Sequence, residues 1–500
     1  MNKKLNLFTF STILTSSISL LLMSGSALAQ EQGEVDSEGL TVKQAIERAS
    51  GENTVLHAVV IDKKRADLLV ALERKRYVPT FSGEAGYRAG QTAQASPLGT
   101  QFITTQTLSS NAALQYTLPY GTSMSASLSF ERAVQDSVVL GNLGTVYGTQ
   151  LAMEVAQPWL RGFGKKVGES NLTDALYAYE IASLEEQAQA NNVISQILTS
   201  YWTLWYLKQQ QQVTLSSIEQ QQESLELTKT RVAAGVASQA DLVLLEAEIA
   251  QAKEEVATLK GRIISQQLEL SRIMGGTEER HYWEATTELP DVASLPAENA
   301  LLEQAYLNSP AARQAAQSIL RSKLQAYLAE NEAKPDFQTI ATLSVNGIGD
   351  NVGSALSQFA RFEAVVGYVG VRVSLPLVRE GLKAQADRAQ LSVERAETDL
   401  ETAKQQLRAQ ILASKTDWEV ARQRVELGDV AVKSSEKSVE MEQVRFNAGQ
   451  VTSFQVTQAI TRLKQARLRV VSARLDAELA RIELMRLMGM LVEEFLASEG

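Results

Sequence analysis

Two short stretches of the 500-residue chain carry polar side chains at the same spacing. The first runs from Arg231 to Asp241, and the second runs from Arg445 to Gln455, 214 positions later (445 − 231). In each, a glycine follows the arginine by four residues, a hydroxyl side chain follows the glycine by three, and an acid or amide follows by three more. These groups are suited to hydrogen bonding with the backbone and offer no arrangement for bond-breaking chemistry.

Both stretches have the pattern of a helix that ends, reverses and restarts. Gly235 and Gly449 suit the left-handed position just past a helix C-terminus. Ser238 and Thr452 then stand at N-cap positions, and Asp241 and Gln455 complete the spacing of a capping box. Two matching helical hairpins indicate an internal duplication.

The rest of the chain offers no candidate catalytic, cofactor or metal site. It has no cysteine and only two histidines, His57 in a helical run and His281 in a loop. No Ser/His/Asp set, phosphate-binding glycine loop or cluster of metal ligands is present in the sequence. The net charge of −10 and the pI near 5.2 argue against a nucleic-acid partner. We expect neither an enzyme nor a cofactor.

The N-terminus has the features of a secretory signal peptide. Lys3 and Lys4 precede an apolar run, and Ala27 and Ala29 place small residues for cleavage after residue 29. No apolar segment of helix length follows, so any membrane insertion of the mature chain must use β-strands.

From Pro79 onward the hydrophobic period changes from helical to two. Such strands, apolar on one face and small-polar on the other, are typical of a membrane barrel, although one strand alone would suit a soluble sandwich. The hairpin 111–131 is either an extra pair of membrane strands or an extracellular extension. We expect its turn, Pro119 to Gly121, to face the periplasm, with longer loops at 91–109 and 133–146. The apolar positions are Phe81, Gly83, Ala85, Tyr87, Leu114, Tyr116, Leu118, Met124, Ala126, Leu128, Phe130, Leu151, Met153, Val155, Val365, Val369, Val371 and Val373.

Long helical patterns surround these strands. The expected domains are a signal peptide (1–29), a first repeat (30–288), a second repeat (289–490) and a C-terminal tail (491–500). The first repeat has a helix, strands at about 80–159 and a long helical hairpin at about 166–274. The second has a helix, strands at about 337–375 and a hairpin at about 379–490. Pro158 and Pro376 mark the strand-to-helix junctions. A heptad-like seam with many alanines and one eleven-residue interval runs along the long helix that begins after Pro376. Its positions are Leu382, Ala386, Ala389, Val393, Ala396, Leu400, Ala403, Leu407, Ile411, Ser414, Trp418, Ala421 and Val425.

The order of these features resembles the TolC outer membrane efflux family over about residues 40–490. The resemblance implies a mixed α+β membrane protein with an internal two-fold repeat, in which a trimeric outer-membrane β-barrel continues into a long periplasmic α-helical barrel. It also implies a homotrimer in the lipids of a Gram-negative outer membrane, docked through a periplasmic adaptor to an inner-membrane transporter. Independently, four to six strands cannot close a channel-sized barrel, so several chains must share one.

The tips depart from the gate of the family's best-known member. Where that gate has a tyrosine, a basic residue and two aspartates, this chain has Phe446, Val451, Gln455 and Gln458. Asp241 matches an aspartate of that gate's network, so for this residue both helix capping and a role in gating stay open. We expect the tips to dock the adaptor, with Arg231, Val232, Ala237, Arg445, Phe446 and Val451 outward. The full set of tip residues is Arg231, Gly235, Val236, Ala237, Ser238, Asp241, Arg445, Phe446, Gly449, Val451, Thr452 and Gln455.

The function expected from these features is an exit duct for a tripartite efflux or type I secretion system. Two alternatives stay open. A passive porin-like channel would not need helices of tunnel length, and a structural periplasmic coiled coil would not need alternating strands.

Overall fold

A computed structural model describes residues 37–96, 99–137, 141–276, 282–291 and 294–496. The expected signal peptide and His281 lie outside these ranges. The helices are α1 (Val42–Glu52), α2 (Thr54–Lys75), α3 (Lys165–Gly168), α4 (Ser170–Ala233), α5 (Gln239–Met274), α6 (Glu298–Asn308), α7 (Pro310–Glu332), α8 (Val352–Ala360), α9 (Glu380–Asn447), α10 (Ser453–Met488) and α11 (Leu491–Leu496). The strands are β1 (Ser37–Leu40), β2 (Thr80–Ser96), β3 (Gly99–Thr117), β4 (Ser123–Ser137), β5 (Gly141–Pro158), β6 (Tyr282–Ala285), β7 (Asp336–Gly349) and β8 (Ala364–Ser374).

The long helices pack side by side. α4 contacts α2, α5, α7 and α10, α9 packs against α7 and α10, and α10 also contacts α5. α4 has 64 residues and α9 has 68, so each is about 100 Å long at 1.5 Å per residue. Described residues on the predicted α9 seam are buried at Val393, Leu407, Ile411, Ser414, Trp418 and Ala421.

The shorter helices are stacked end to end in two pairs. The Asn53 side chain caps the start of α2 and donates to the Ile273 carbonyl at the end of α5, at 2.7 Å. In the other pair, a Cβ on Gly489 would lie 2.8 Å from Cδ of Pro310, the first residue of α7. Each pair therefore forms one column beside a long helix, so one chain supplies four helical columns.

Midway along the helices, a small parallel pair of β1 and β6 covers the largest buried cluster. Tyr201 of α4 is fully buried there, and its hydroxyl donates to the Leu40 carbonyl at 2.8 Å. The C-terminal α11 closes the same region, because Leu491 is buried and its N–H donates to Oδ1 of Asn191 at 3.0 Å. The sequence did not indicate this layer.

The remaining six strands form one antiparallel sheet in the order β2-β3-β4-β5-β7-β8. The hairpin 111–131 is thus part of the sheet. The prediction of long loops at 91–109 and 133–146 was wrong, because most of these residues belong to strands. β2 and β3 stay paired out to Ser96 and Gly99, and β4 and β5 stay paired out to Ser137 and Gly141. A ladder of backbone hydrogen bonds holds these ends together where apolar alternation is absent.

The register gives the sheet two chemically different faces. Leu151 pairs with Leu128 on one side and Val345 on the other, so these three side chains share a face. Extended by register, that apolar face carries Phe81, Tyr87, Leu108, Leu114, Met124, Leu128, Phe130, Leu151, Met153, Val155, Leu343, Val345, Val365, Val369, Val371 and Val373. The opposite face, called the polar face, also includes the apolar residues Ile340, Ile348, Val366 and Tyr368 near β7 and β8. Its polar residues are Ser82, Glu84, Arg88, Asn111, Ser123, Ser125, Ser127, Ser129, Gln150, Glu154, Thr342, Ser344, Asn346 and Arg372.

The turn between β3 and β4 packs against residues 158–168, which lead from β5 through α3 to the long helix α4. Gly164 N–H donates to the Tyr120 carbonyl at 3.2 Å, and a Cβ on Gly168 would overlap the Pro119 carbonyl. Gly121, at φ +91°, likewise leaves no room for a side chain beside Gly162 and Pro158. The turn therefore lies at the helical end of the sheet. Among the described residues, no helix is long and apolar enough to cross a membrane.

Candidate functional site

The two hairpin tips end their helices with the same hydrogen bonds. Past α4, Val236 N–H donates to the Arg231 carbonyl at 2.9 Å and Gly235 N–H to the Val232 carbonyl at 3.0 Å. Past α9, Gln450 and Gly449 repeat the pattern, each at 2.9 Å. This is the Schellman ending. The glycines have φ of +74° and +75°, as their spacing predicts.

Tip 2, the stretch from Arg445 to Gln455, is packed. Phe446 and Val451 are 3% and 9% exposed and lie in an apolar cluster with Val439, Val456 and Leu463. The expectation that Phe446 and Val451 point outward was therefore wrong, because the reversal at Gly449 folds both onto α10. Arg445 is exposed and pairs with Glu442 at 2.9 Å. The capping box is present here, since Thr452 N–H donates to Oε1 of Gln455 at 3.2 Å.

Tip 1, the stretch from Arg231 to Asp241, is open. Val236 is 73% exposed, Arg231, Val232 and Ala237 are half-buried, and the first buried side chain beyond the turn is Leu245. Ser238 caps α5 by accepting from Ala240 N–H at 3.1 Å. The predicted capping box was wrong here, because the Asp241 carboxylate makes no hydrogen bond to the described part of the chain. The Asp241 carboxylate still lies in the first turn of α5, where the partial positive charge of the helix N-terminus stabilises a negative charge.

One side chain joins the two tips. The Arg231 guanidinium lies over the Phe446 ring, 4.2 Å from its centroid. Its Nη2 also donates to the Phe446 carbonyl, and to the Asn447 carbonyl at 3.1 Å. A cation placed on the last carbonyls of α9 is favoured by the partial negative charge of a helix C-terminus. Sequence reasoning named both residues but did not pair them.

A second link lies higher on the hairpins, where Lys464 of α10 forms an ion pair with Glu255 of α5. Between that link and the tip, Glu248 of α5 has a buried Oε2 atom with no hydrogen-bond partner. Burial raises the pKa of this carboxyl group above its ordinary value. Glu248 is thus a partly buried acid on the described hairpins whose Oε2 atom has no hydrogen-bond partner.

The junction prolines differ in their surroundings. Pro158 is buried where β5 ends, and the neighbouring Arg161 pairs with Asp336 at 2.8 Å. Pro376 follows β8 in a segment that packs little against the rest of the chain, since the next side chain, Leu377, is 98% exposed. The described residues contain no group of acids and histidines arranged to hold a metal ion.

Residues 167–276 and 301–490 match the family model described as outer membrane efflux protein. The chain belongs to the outer membrane efflux protein family. As a family member it is an outer-membrane efflux channel, located in the outer membrane with an extension into the periplasm, and the resemblance seen in its sequence is confirmed. No curated protein matches it significantly.

Solved structures agree with this outer membrane efflux protein assignment. A structure of CusC has a TM-score of 0.66 at 14% identity, covering 92% of this chain and 95% of that one. The outer membrane protein VceC from Vibrio cholerae has a TM-score of 0.65 at 16% identity, covering 90% and 96%. The open MtrE channel of Neisseria gonorrhoeae has a TM-score of 0.62 at 17% identity, covering 90% and 88%. At these identities the likeness establishes the fold.

Proposed function

We propose that this protein is the exit duct of a tripartite efflux or type I secretion system and works as a homotrimer. In this proposal the two repeats, 30–288 and 289–490, each contribute strands to an outer-membrane barrel and a hairpin to a periplasmic tunnel. A periplasmic adaptor joins the tips to an inner-membrane transporter, which supplies the energy. The proposal rests on one observation. In a single chain, the sheet and the layer of helices each have two edges that no other part of the described chain covers.

The open edges of the two layers coincide. At one side β8 leads directly into α9, and at the other α2 leads directly into β2. Among the described strands of one chain, β8 and β2 each have a single neighbour. They run in opposite directions, so β8 of one copy can pair antiparallel with β2 of the next. Three copies would close 18 strands and 12 helical columns, and closure is the way a membrane sheet satisfies its edge groups.

Exposed apolar side chains mark the same two edges of the helical layer. On α9 they are Leu391, Val420, Leu427, Val430, Met441 and Val444, and on α2 and α5 they are Ile61, Leu68, Leu69, Leu72, Val243, Leu244, Ile264 and Leu268. Stripes this long are unusual on a monomer's surface and are typical of subunit interfaces. Contact between the α9 stripe of one copy and the α2 and α5 stripe of the next would cover both.

The tips are the part of this structure best placed to meet an adaptor. They lie at the end of the helices farthest from the sheet, and tip 1 exposes Val236 and Ser238. The long helices also separate this proposal from a passive pore, which has no need to reach far into the periplasm.

Site-specific photo-crosslinking in the native host tests the proposal. A crosslinker at Gln450 in the tip should capture a periplasmic protein, whereas one at Gln405, exposed midway along α9, should not. Deleting the gene should abolish export of a dye or polypeptide, and removing the captured protein should have the same effect. A monomeric mass in mild detergent, extraction by carbonate, or equal crosslinking from both positions would contradict it.

A further inference from the structure

The short helix α8 lies between β7 and β8, at the end of the sheet farthest from the long helices. β7 begins at Asp336, just after α7, and ends at Gly349, which pairs with Tyr147. α8 then follows and packs on β7 and β5. β4 and β5 continue beyond this level to Ser137 and Gly141, so α8 lies against the wall of the sheet below its outer rim.

Two glycines identify the face of the sheet that α8 covers. A Cβ on Gly347 would overlap the Ala355 carbonyl and lie 3.0 Å from Phe359, and one on Gly349 would overlap Ser354. Side chains at 345, 347 and 349 share a face, because neighbours along a strand alternate. Val345 belongs to the apolar face, and it is 3% exposed although Leu343, two residues away, is 46% exposed. The helix therefore covers the apolar face.

The outward side of α8 is mostly apolar, with Ser357 as its exposed polar side chain. Val352 and Leu356 are 41% and 46% exposed, and between Asp350 and Arg361 the sequence contains no charged residue. A helix in water would normally place polar side chains on the side away from its support. Here that side continues the apolar surface of the sheet.

Phe362, just past α8, adds an independent observation. Glu363 N–H donates to the Gln358 carbonyl and Phe362 N–H to the Phe359 carbonyl, so Phe362 occupies the position where a helix usually ends on glycine. It has φ of +55°, and among the described residues it alone has positive φ without being glycine. Its ring is 63% exposed. An aromatic side chain held outward at a backbone cost suggests that the ring has a use there.

We infer that α8 is an interfacial helix that inserts its outward side, Val352, Leu356 and Phe362, among the acyl chains of the outer leaflet. Membrane barrels carry girdles of aromatic residues at the boundary between acyl chains and headgroups, and amphipathic helices bind there through an apolar side that often includes Phe and Leu. The charged residues Asp350, Arg361 and Glu363 flank the apolar segment, where the headgroups would lie.

A neighbouring copy is a less suitable occupant of this surface. The edge that a second copy would meet is β8, whereas α8 leans from β7 toward β5, into the middle of its own sheet. Lipid is continuous with the rest of the apolar face. This inference rests on the proposed membrane position of the sheet, so the experiment must test the two separately.

The absence of cysteine from the chain makes the experiment direct. Single variants Leu356→Cys and Phe362→Cys carry an environment-sensitive fluorophore, and the purified protein is reconstituted in phospholipid vesicles. Leu128→Cys on the apolar face and Ser127→Cys on the polar face serve as a matched pair. Brominated lipid is one quencher, and iodide in the buffer is the other.

We expect brominated lipid to quench the fluorophore at Leu356 and Phe362 about as strongly as at Leu128, with iodide acting mainly on Ser127. Quenching by iodide at both α8 positions, with Leu128 responding to lipid, would overturn the inference and leave the membrane sheet intact. Protection from both quenchers would show that protein covers α8, and would also overturn it. If Leu128 itself did not respond to lipid, the proposed membrane sheet would fail instead.

Discussion

The Arg231 guanidinium of tip 1 stacks on the Phe446 ring of tip 2, 4.2 Å from its centroid, and donates to the last carbonyls of α9. This contact joins two hairpins whose glycine turns lie 214 positions apart (449 − 235). Phe446 stands at the position where the gate of the family's best-known member has a tyrosine. In the proposed duct, we expect this contact to hold the tips together.

Replacing Arg231 with alanine should loosen the tips. Losing a cation–π contact and two hydrogen bonds at a half-buried site should cost about 1–3 kcal/mol, or roughly a 5- to 150-fold change in the balance between closed and open tips. Single-channel conductance should rise, and amide exchange at Gly449 should accelerate. Arg445→Ala, which removes only an ion pair within α9, is the control. Equal conductance for wild type and Arg231→Ala would show that the contact does not gate.

Replacing Gly449 or Gly235 with valine should separate docking from assembly. Nothing lies within 4 Å of a Cβ at either glycine, so the cost comes from the backbone, on the order of 1–2 kcal/mol for positive φ. The subunit interface should withstand this. We expect normal trimer levels with loss of adaptor crosslinking and export. Gly261→Val, in a helix with equally open space, should change none of the three, and parallel loss of all three at the tips would favour a purely structural role.

Leu128 and Ser127 are adjacent residues on opposite faces of β4. A lysine at Leu128 would face lipid and should cost about 2–4 kcal/mol near the middle of the bilayer, whereas Ser127→Lys would face the lumen. The level of trimer in the outer-membrane fraction should fall for Leu128→Lys alone. Similar levels for both variants would mean that the apolar face does not contact lipid.

The unpaired acid Glu248 gives a pH-dependent prediction. Burial raises the pKa of Glu248 in the folded chain. Below the pKa of the unfolded chain the carboxyl group is protonated in both states, so the stability of the fold is fully present there. That stability is lost as the pH rises through the folded-state pKa, because the carboxyl group must then be charged where it is buried. Glu248→Gln should therefore raise the Tm near pH 7 and leave it almost unchanged near pH 4. Glu246→Gln, on an exposed part of the same helix, should have little effect at either pH. A stabilisation by Glu248→Gln that was equal at both pH values would argue against burial of charge as the cause.

The sequence predicted the elements whose signals are local. The helix ends at Gly235 and Gly449 depend on a backbone angle that a few neighbouring residues determine, and they agree with the structure. The strands crossing the sheet were also evident, because each must present one apolar and one polar face.

Features set by distant contacts were missed. Burial of Phe446 depends on where α10 returns beside α9, and the pairing of Phe446 with Arg231 depends on how two hairpins meet. The outer parts of β2 and β3 lack alternation because both of their faces suit water, so only their mutual pairing identifies them as strands. α8 is too short for a periodic signal, although Asn351 and Ser354 form a capping box at its start.

The hairpin of β3 and β4 also affects how the two walls of the proposed trimer fit together. Helices packed 8–10 Å apart would give 12 columns a perimeter of roughly 100–120 Å. Strands about 4.8 Å apart and tilted by about 40° would give 18 strands a perimeter of roughly 110 Å, whereas 12 strands at that tilt would give about 75 Å. With this extra hairpin, the barrel and the ring of helices would have nearly equal perimeters. The proposed duct therefore needs no constriction where it enters the membrane.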